Sequence, residues 1–221
     1  MRLLLVGDVI AQPGIAALQR RLPQLRHERG IDFVVANGEN AAPTGLGLTV
    51  ADAQSLLAAG VDVITSGNHI WDRREIVEFM EQGQPVLRPL NYPEPAPGRG
   101  YTIRDGVLVV SLLGRIHIDC VDCPFARIDA LLDGLAERWV VSVVDFHAMD
   151  TLEKGAMGWY LDGRVSAVVG THTHVPTADA RLLPGGTAFV SDLGMVGPHN
   201  SVMGIEVAPV GGKYPAMTQM P

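Results

Sequence analysis

Eight side chains in this sequence share a type and a setting: Asp8, Glu39, Asn40, Asn68, His69, His147, His172 and His174. Each is an oxygen or imidazole donor, none is a thiol, and each follows closely on a short apolar run. Two carboxylates, two amides and several imidazoles exceed the coordination needs of one ion. Two metals sharing a bridging carboxylate fit the count, and such pairs activate water and clamp phosphate oxygens. His172 and His174 stand two apart, so on an extended segment both rings would point to one side. Taken singly, these signals are weak. Gly7-Asp8 after a strand is an ordinary turn, Asn37-Gly38 is a turn dipeptide, Asn40 is a natural cap, and His-x-His also suits an exposed edge. Five such clusters at five strand ends point instead to a dinuclear site.

The elements that must position these residues are legible as alternating patterns. Apolar, β-branched runs at Leu3–Val6, Phe33–Ala36, Val61–Ile64, Val140–Val144, Val165–Val169 and Ala188–Val190 read as strands buried on both faces. Ile15, Leu18, Leu22 and Leu25 recur at helical spacing, with Pro23 a kink point. Thr49 with Asp52 signals a helix over Val50–Ala59, Asp72 with Glu75 one over Arg73–Met80, and Phe125 to Leu135 carry a further apolar face. Strands alternating with helices predict a layered α/β domain, and ligands of such sheets bind beyond the carboxyl ends of the strands. Tyr101–Ile103 and Val107–Leu113, joined at Arg104-Asp105-Gly106, read as a hairpin, which makes the sheet arrangement mixed. The five prolines between Pro85 and Gly100 mark a loop, and the Gly/Pro-rich sequence after Gly204 an atypical tail of a single 1–221 domain.

Composition narrows the function classes. The 221 residues fit one compact domain. Seventeen Lys+Arg against 24 Asp+Glu give a net charge of −7, which argues against long nucleic acid as a partner and suits a protein that holds cations. No apolar run approaches the ~18 residues of a membrane helix, and two cysteines make no secreted disulfide framework, so a soluble cytoplasmic protein is expected.

Gly7-Asp8, Gly38-Glu39-Asn40, Gly67-Asn68-His69, Phe146-His147-Ala148 and Gly170-Thr171-His172-Thr173-His174 resemble, in that order, the motifs of the calcineurin-like metallophosphoesterase superfamily. The longer strings NGENAAPTGLGLT, SGNHIWD, DFHA and DGRVSAVVGTHTHVPTADARLLPGGTAF are similar to its bacterial YmdB-like 2′,3′-cyclic nucleotide phosphodiesterases, over residues 1–204. The resemblance implies a four-layer α/β/β/α sandwich with two mixed sheets. One metal would take Asp8, Glu39, Asn40 and His174, the second Glu39, Asn68, His147 and His172, with Glu39 bridging. His69 would face the substrate as a proton donor. Iron or manganese is implied, with zinc also suited to the donors. Three departures accompany the likeness: Ile10 stands where the wider superfamily has a histidine, Ala148-Met149-Asp150 follows His147 where Ala-Glu is usual, and the tail after Gly204 differs.

The mechanism this implies is hydrolysis of a small phosphodiester, such as 2′,3′-cAMP, by a metal-bridging hydroxide, with His69 protonating the leaving alkoxide. A phosphomonoesterase or nuclease on the same core, or a nucleotide-binding regulatory module with little turnover, remain the alternatives; a homo-oligomer is compatible with either. Among other residues, Cys120 and Cys123 read as incidental reduced thiols rather than a redox pair or half a zinc site with His117. Arg73, Arg74 and Arg115 read as surface residues able to meet phosphate, and so do the backbone amides of Thr44–Gly47 and Gly194–His199. Asp192 is placed to orient a ligand histidine. Trp71 suits base stacking or packing equally, and His27 and His199 read as surface residues.

Overall fold

The computed structural model describes residues 1–118 and 120–207. In chain order the elements are β1 (Leu3–Val6), β2 (Asp8–Val9), α1 (Ala11–Arg29), β3 (Phe33–Asn37), α2 (Val50–Ala58), β4 (Val63–Thr65), α3 (Glu75–Glu81), β5 (Tyr101–Arg104) and β6 (Val107–Leu113). There follow α4 (Pro124–Gly134), β7 (Val141–His147), α5 (Thr151–Tyr160), β8 (Ala167–Thr171), β9 (Arg181–Leu182), β10 (Ala188–Val190) and β11 (Met195–Val196). Among the described residues no helix is long and apolar enough to cross a membrane.

Two sheets form the centre. The first runs β1-β3-β4, all parallel, and is extended past Gly7 by the parallel pair β2 and β11. The second has six strands in the order β5-β6-β7-β8-β10-β9 and is mixed: β5 and β9 are antiparallel edge strands on a parallel centre. Phe33, Val35, Val63, Leu87, Val107 and Val109 fill the space between the sheets, and Leu3 and Leu5 pack against them. That is why β3 and β6 read as unbroken apolar runs: both faces of each strand are covered. On the outer face of the first sheet, Ile15, Leu18 and Leu22 of α1, Leu56 of α2 and Ile76 of α3 form one apolar cluster. On the outer face of the second, Ile128 of α4 and Met157 of α5 pack with Leu112, Phe146 and Phe189. The layers are therefore α/β/β/α.

Several elements differ from the sequence expectation. The helix α3 starts at Glu75, and Asp72 does not cap it; Ile70–Asp72 forms a separate short 3₁₀ turn that aims Asp72 back at His69. The helix α1 continues through Pro23. Helix α5 went unread because Gly155 and Gly158 lower its helix propensity. Its start signal is nonetheless present: Asp150 accepts a hydrogen bond from the Glu153 amide. Packing supplies the rest, since a methyl at position 158 would lie 2.4 Å from the Phe189 ring. Of the tail after Gly204, residues 205–207 are described, with Ile205 pairing backbone to backbone with Val202 just before it, and residues 208–221 lie outside the described residues.

Candidate metal centre

All strands that end in a singled-out residue run parallel, so their carboxyl ends open on one side of the sandwich. The first sheet delivers Asp8 from β2, Glu39 and Asn40 from the turn after β3, and Asn68 and His69 from the turn after β4. The second delivers His147 as the last residue of β7, and His172 and His174 just after β8.

The side chains converge. His147 Nε2 lies 2.9 Å from Glu39 Oε1 and 2.9 Å from His172 Nδ1. Glu39, His147 and His172 each offer a ligand atom, all within 4.8 Å of one another. Alongside, His174 Nε2 is 3.7 Å from Asp8 Oδ1 and 3.2 Å from Asn40 Nδ2, and Asp8 Oδ1 is 3.9 Å from His147 Nδ1. Asp8, Glu39 and His147 are completely buried. His69 sits at the rim, with its amide donating to Glu39 Oε2 at 3.2 Å and its ring Nδ1 3.0 Å from Asp72 Oδ2.

Three oxygens in this cluster, Asp8 Oδ1, Asn40 Oδ1 and Asn68 Oδ1, are buried with no hydrogen-bond partner. Buried polar atoms are almost always satisfied, and three orphans in one place mark a seat for a cation. The donor set is entirely nitrogen and oxygen, which suits iron, manganese or zinc. The residues present therefore fit a metal centre.

The charges tell the same story. Burial, reinforced by the Glu39 carboxylate, pushes Asp8 up to about 6 against the pull of His147. Burial also works against ionisation of Glu39, but the His147 cation and its hydrogen bond outweigh it and hold Glu39 down at about 2. Burial would neutralise His147, yet Glu39 and then Asp8 raise it to about 9. Burial and the adjacent His147 charge lower His172 to about 4. A proton on His147 thus takes the cation's place between the carboxylates.

Local backbone makes this convergence possible. His172 and His174 are not extended, as the His-x-His spacing predicts; both take positive φ, 100° and 65°. Left-handed backbone at non-glycine residues stores strain and marks functional sites. It lets His172 turn to His147 while His174 reaches Asn40, its Nδ1 bonding the Met203 carbonyl at 2.9 Å. Gly67 is required for space: a Cβ there would stand 2.2 Å from His147 Cδ2 and 2.4 Å from Glu39 Oε2.

Residues beyond the eight also surround the centre. Thr171, Asp145, Asn37 and Thr65 form a buried hydrogen-bond network under His147, which sequence reasoning missed because a Thr or Asp within a strand carries no distinctive spacing. Asp192 does not touch a histidine ring. It accepts from Lys154 Nζ at 2.7 Å and from the amide and hydroxyl of Thr173, between the two histidines. The Gly194 amide is likewise spent on Asp192, while the Gly194 carbonyl accepts from the Asp8 amide. Arg73 donates to Thr44 Oγ1, joining two rim loops, whereas Arg74 and Arg115 are exposed. Trp71 packs edge-on against Tyr92 at 5.2 Å. Cys120 and Cys123 are free thiols, and His27 and His199 are exposed.

Comparison with known proteins adds four likenesses. The family model described as YmdB-like protein matches residues 4–221. A 2′,3′-cyclic-nucleotide 2′-phosphodiesterase of Bacillus subtilis (strain 168) is 45% identical over 210 residues, 93% of this chain and 79% of that protein. Among solved structures, a hypothetical protein from Thermus thermophilus superposes with a TM-score of 0.90 at 44% identity, over 100% of this chain and 86% of that one. A novel phosphatase from Mycoplasma pneumoniae superposes at 0.88 and 31% identity, over 99% and 81%.

Proposed function

The chain belongs to the YmdB-like protein family, within the metallophosphoesterases, and from that premise we propose that it is a metal-dependent phosphodiesterase acting on 2′,3′-cyclic nucleotides. The observation that supports this reading is the grouping of Glu39, His147 and His172, whose ligand atoms lie within 4.8 Å of one another, together with the buried, unpartnered oxygens of Asp8, Asn40 and Asn68. The relative from Bacillus subtilis, which acts on 2′,3′-cyclic nucleotides by its name, supports the substrate class.

In this reading Asp8, Glu39, Asn40 and His174 hold one ion, and Glu39, Asn68, His147 and His172 the other; the donors suit iron, manganese or zinc, and the family resemblance favours iron or manganese. Bound there, such ions supply Lewis acidity to the phosphate and ready a water for attack. The remaining chemistry belongs to the chain. The seven ligands fix where the phosphate sits relative to His69. Asp72 accepts the hydrogen bond of His69 Nδ1–H and so favours the ring protonated on both nitrogens, whose Nε2–H passes its proton to the leaving ribose oxygen and leaves a neutral imidazole held on Asp72.

The test is hydrolysis of 2′,3′-cAMP, bis-p-nitrophenyl phosphate and a phosphomonoester, with Mn²⁺ or with chelator. Wild type should cleave both diesters only with metal. Glu39→Ala should lose metal and activity together. His69→Ala should keep its metal by elemental analysis and lose roughly 10²–10⁴-fold in turnover of 2′,3′-cAMP, the usual worth of a positioned general acid. Activity confined to the monoester would replace this reading with a phosphatase, and no turnover by metal-loaded protein would replace it with a binding module.

A further inference from the structure

Beneath the centre, three residues form a chain of hydrogen bonds whose direction is fixed. The carboxylate of Asp145 is fully buried in β7 and faces three donors. Thr171 Oγ1 donates to its Oδ1 at 2.7 Å, while Asn37 Nδ2 (3.1 Å) and Thr65 Oγ1 donate to its Oδ2. The Asn37 amide orientation is settled by its other contact, because Asn37 Oδ1 accepts from the Glu39 amide at 3.1 Å. A threonine hydroxyl has a single hydrogen, and here Asp145 receives it. Thr171 Oγ1 therefore meets His147 Nδ1, 2.9 Å away, as an acceptor; this contact is much shorter than the 3.4 Å from Nδ1 to Asn37 Nδ2, which also reaches Thr171 Oγ1, and it assigns the hydrogen to Nδ1. The opposite nitrogen, Nε2, is the one that faces Glu39 and His172.

We infer that Asp145 and Thr171 are positioning residues that set His147 as a ligand. They lock its ring with Nδ1–H turned to Thr171 and its Nε2 lone pair free for the ion. The same carboxylate ties β7 and β8 of the second sheet to Asn37 at the end of β3 and Thr65 at the end of β4 in the first. It therefore also sets the spacing between the oxygen-rich and the imidazole-rich half of the site. Such outer partners typically matter by roughly 10–100-fold in metal affinity. This inference rests on the metal-site reading above.

The test compares Thr171→Val, which removes the acceptor, with Thr171→Ser, which keeps it, by Mn²⁺ titration calorimetry on metal-free protein. Wild type serves as the control, and its failure to bind Mn²⁺ would refute the metal-site reading itself rather than this refinement of it. With wild type binding, Thr171→Val should lose roughly 10–100-fold in affinity for one of two ions, and Thr171→Ser should restore it to within a few-fold. Equal affinity in Thr171→Val and wild type would overturn the inference, even if the valine variant melted earlier. If Thr171→Val does not fold, ¹⁵N-histidine spectra of zinc-loaded wild type decide: a protonated Nδ1 on His147 supports the assignment, and a bare Nδ1 refutes it.

Discussion

His147 carries a proton where the centre would carry a cation. With Glu39 2.9 Å from its Nε2, its folded pKa of about 9 keeps it an imidazolium at neutral pH, and Glu39, near 2, stays a carboxylate. Metal uptake through Nε2 has to expel that proton. Because the pKa is raised, the proton is present at every pH below about 9 and absent above it. Calorimetric titration of metal-free protein with Mn²⁺, repeated in buffers of different ionisation heat, should therefore report release of about one proton at pH 7, falling toward zero above pH 9. A count of zero at pH 7 would mean that His147 is not a ligand. At this scale the eight polar residues were legible, since their types and strand-end positions are visible in one dimension. Asp145, Thr171 and the Met203 carbonyl were not. Their partners lie from 24 to 108 residues away, and a buried threonine in an apolar strand is spelled like any other.

Lys154 on α5 and Asp192 after β10 form a buried ion pair, 3% and 1% exposed, beside the loop that carries His172 and His174. Asp192 holds Thr173 by both amide and hydroxyl, so this pair pins the residue between two histidines whose backbone is left-handed. Removing one partner of a buried pair leaves an uncompensated charge and costs about 3–5 kcal/mol. Lys154→Met should destabilise the protein by that amount in urea unfolding and weaken metal binding as well. A stability change without any change in metal affinity would show that the pair supports only the fold. The strands around this loop could be read from their β-branched runs, and the hairpin of β5 and β6 from its Asp-Gly turn. The kinked path of the two histidines could not: an alternating His-x-His pattern describes an extended strand equally well, and only the pull of Asp8, His147 and Asn40 from other elements bends it.

The whole molecule places a mainly oxygen-bearing half of the site on one sheet and an imidazole half on the other, with Phe33, Val35 and Val107 packed between. A cation gripping both halves would bind the native arrangement and neither sheet alone. Metal at 100 times its dissociation constant then stabilises by about 2.7 kcal/mol. At about 2–4 °C per kcal/mol for a chain of this size, melting should rise by roughly 5–10 °C on adding Mn²⁺ and fall back with chelator. An unchanged melting temperature in saturating Mn²⁺ would refute a site built from both sheets. The division also sets a schedule for synthesis. On the ribosome Asp8, Glu39, Asn40 and Asn68 emerge first, offering only hard oxygen donors, and the first imidazole of the ligand set follows at position 147. At about 5–20 residues per second that interval lasts roughly 4–16 s. Since neither half grips an ion alone, a metal that needs both can be taken up only after His174, the last of the ligand set, has left the exit tunnel and the second sheet has closed on the first.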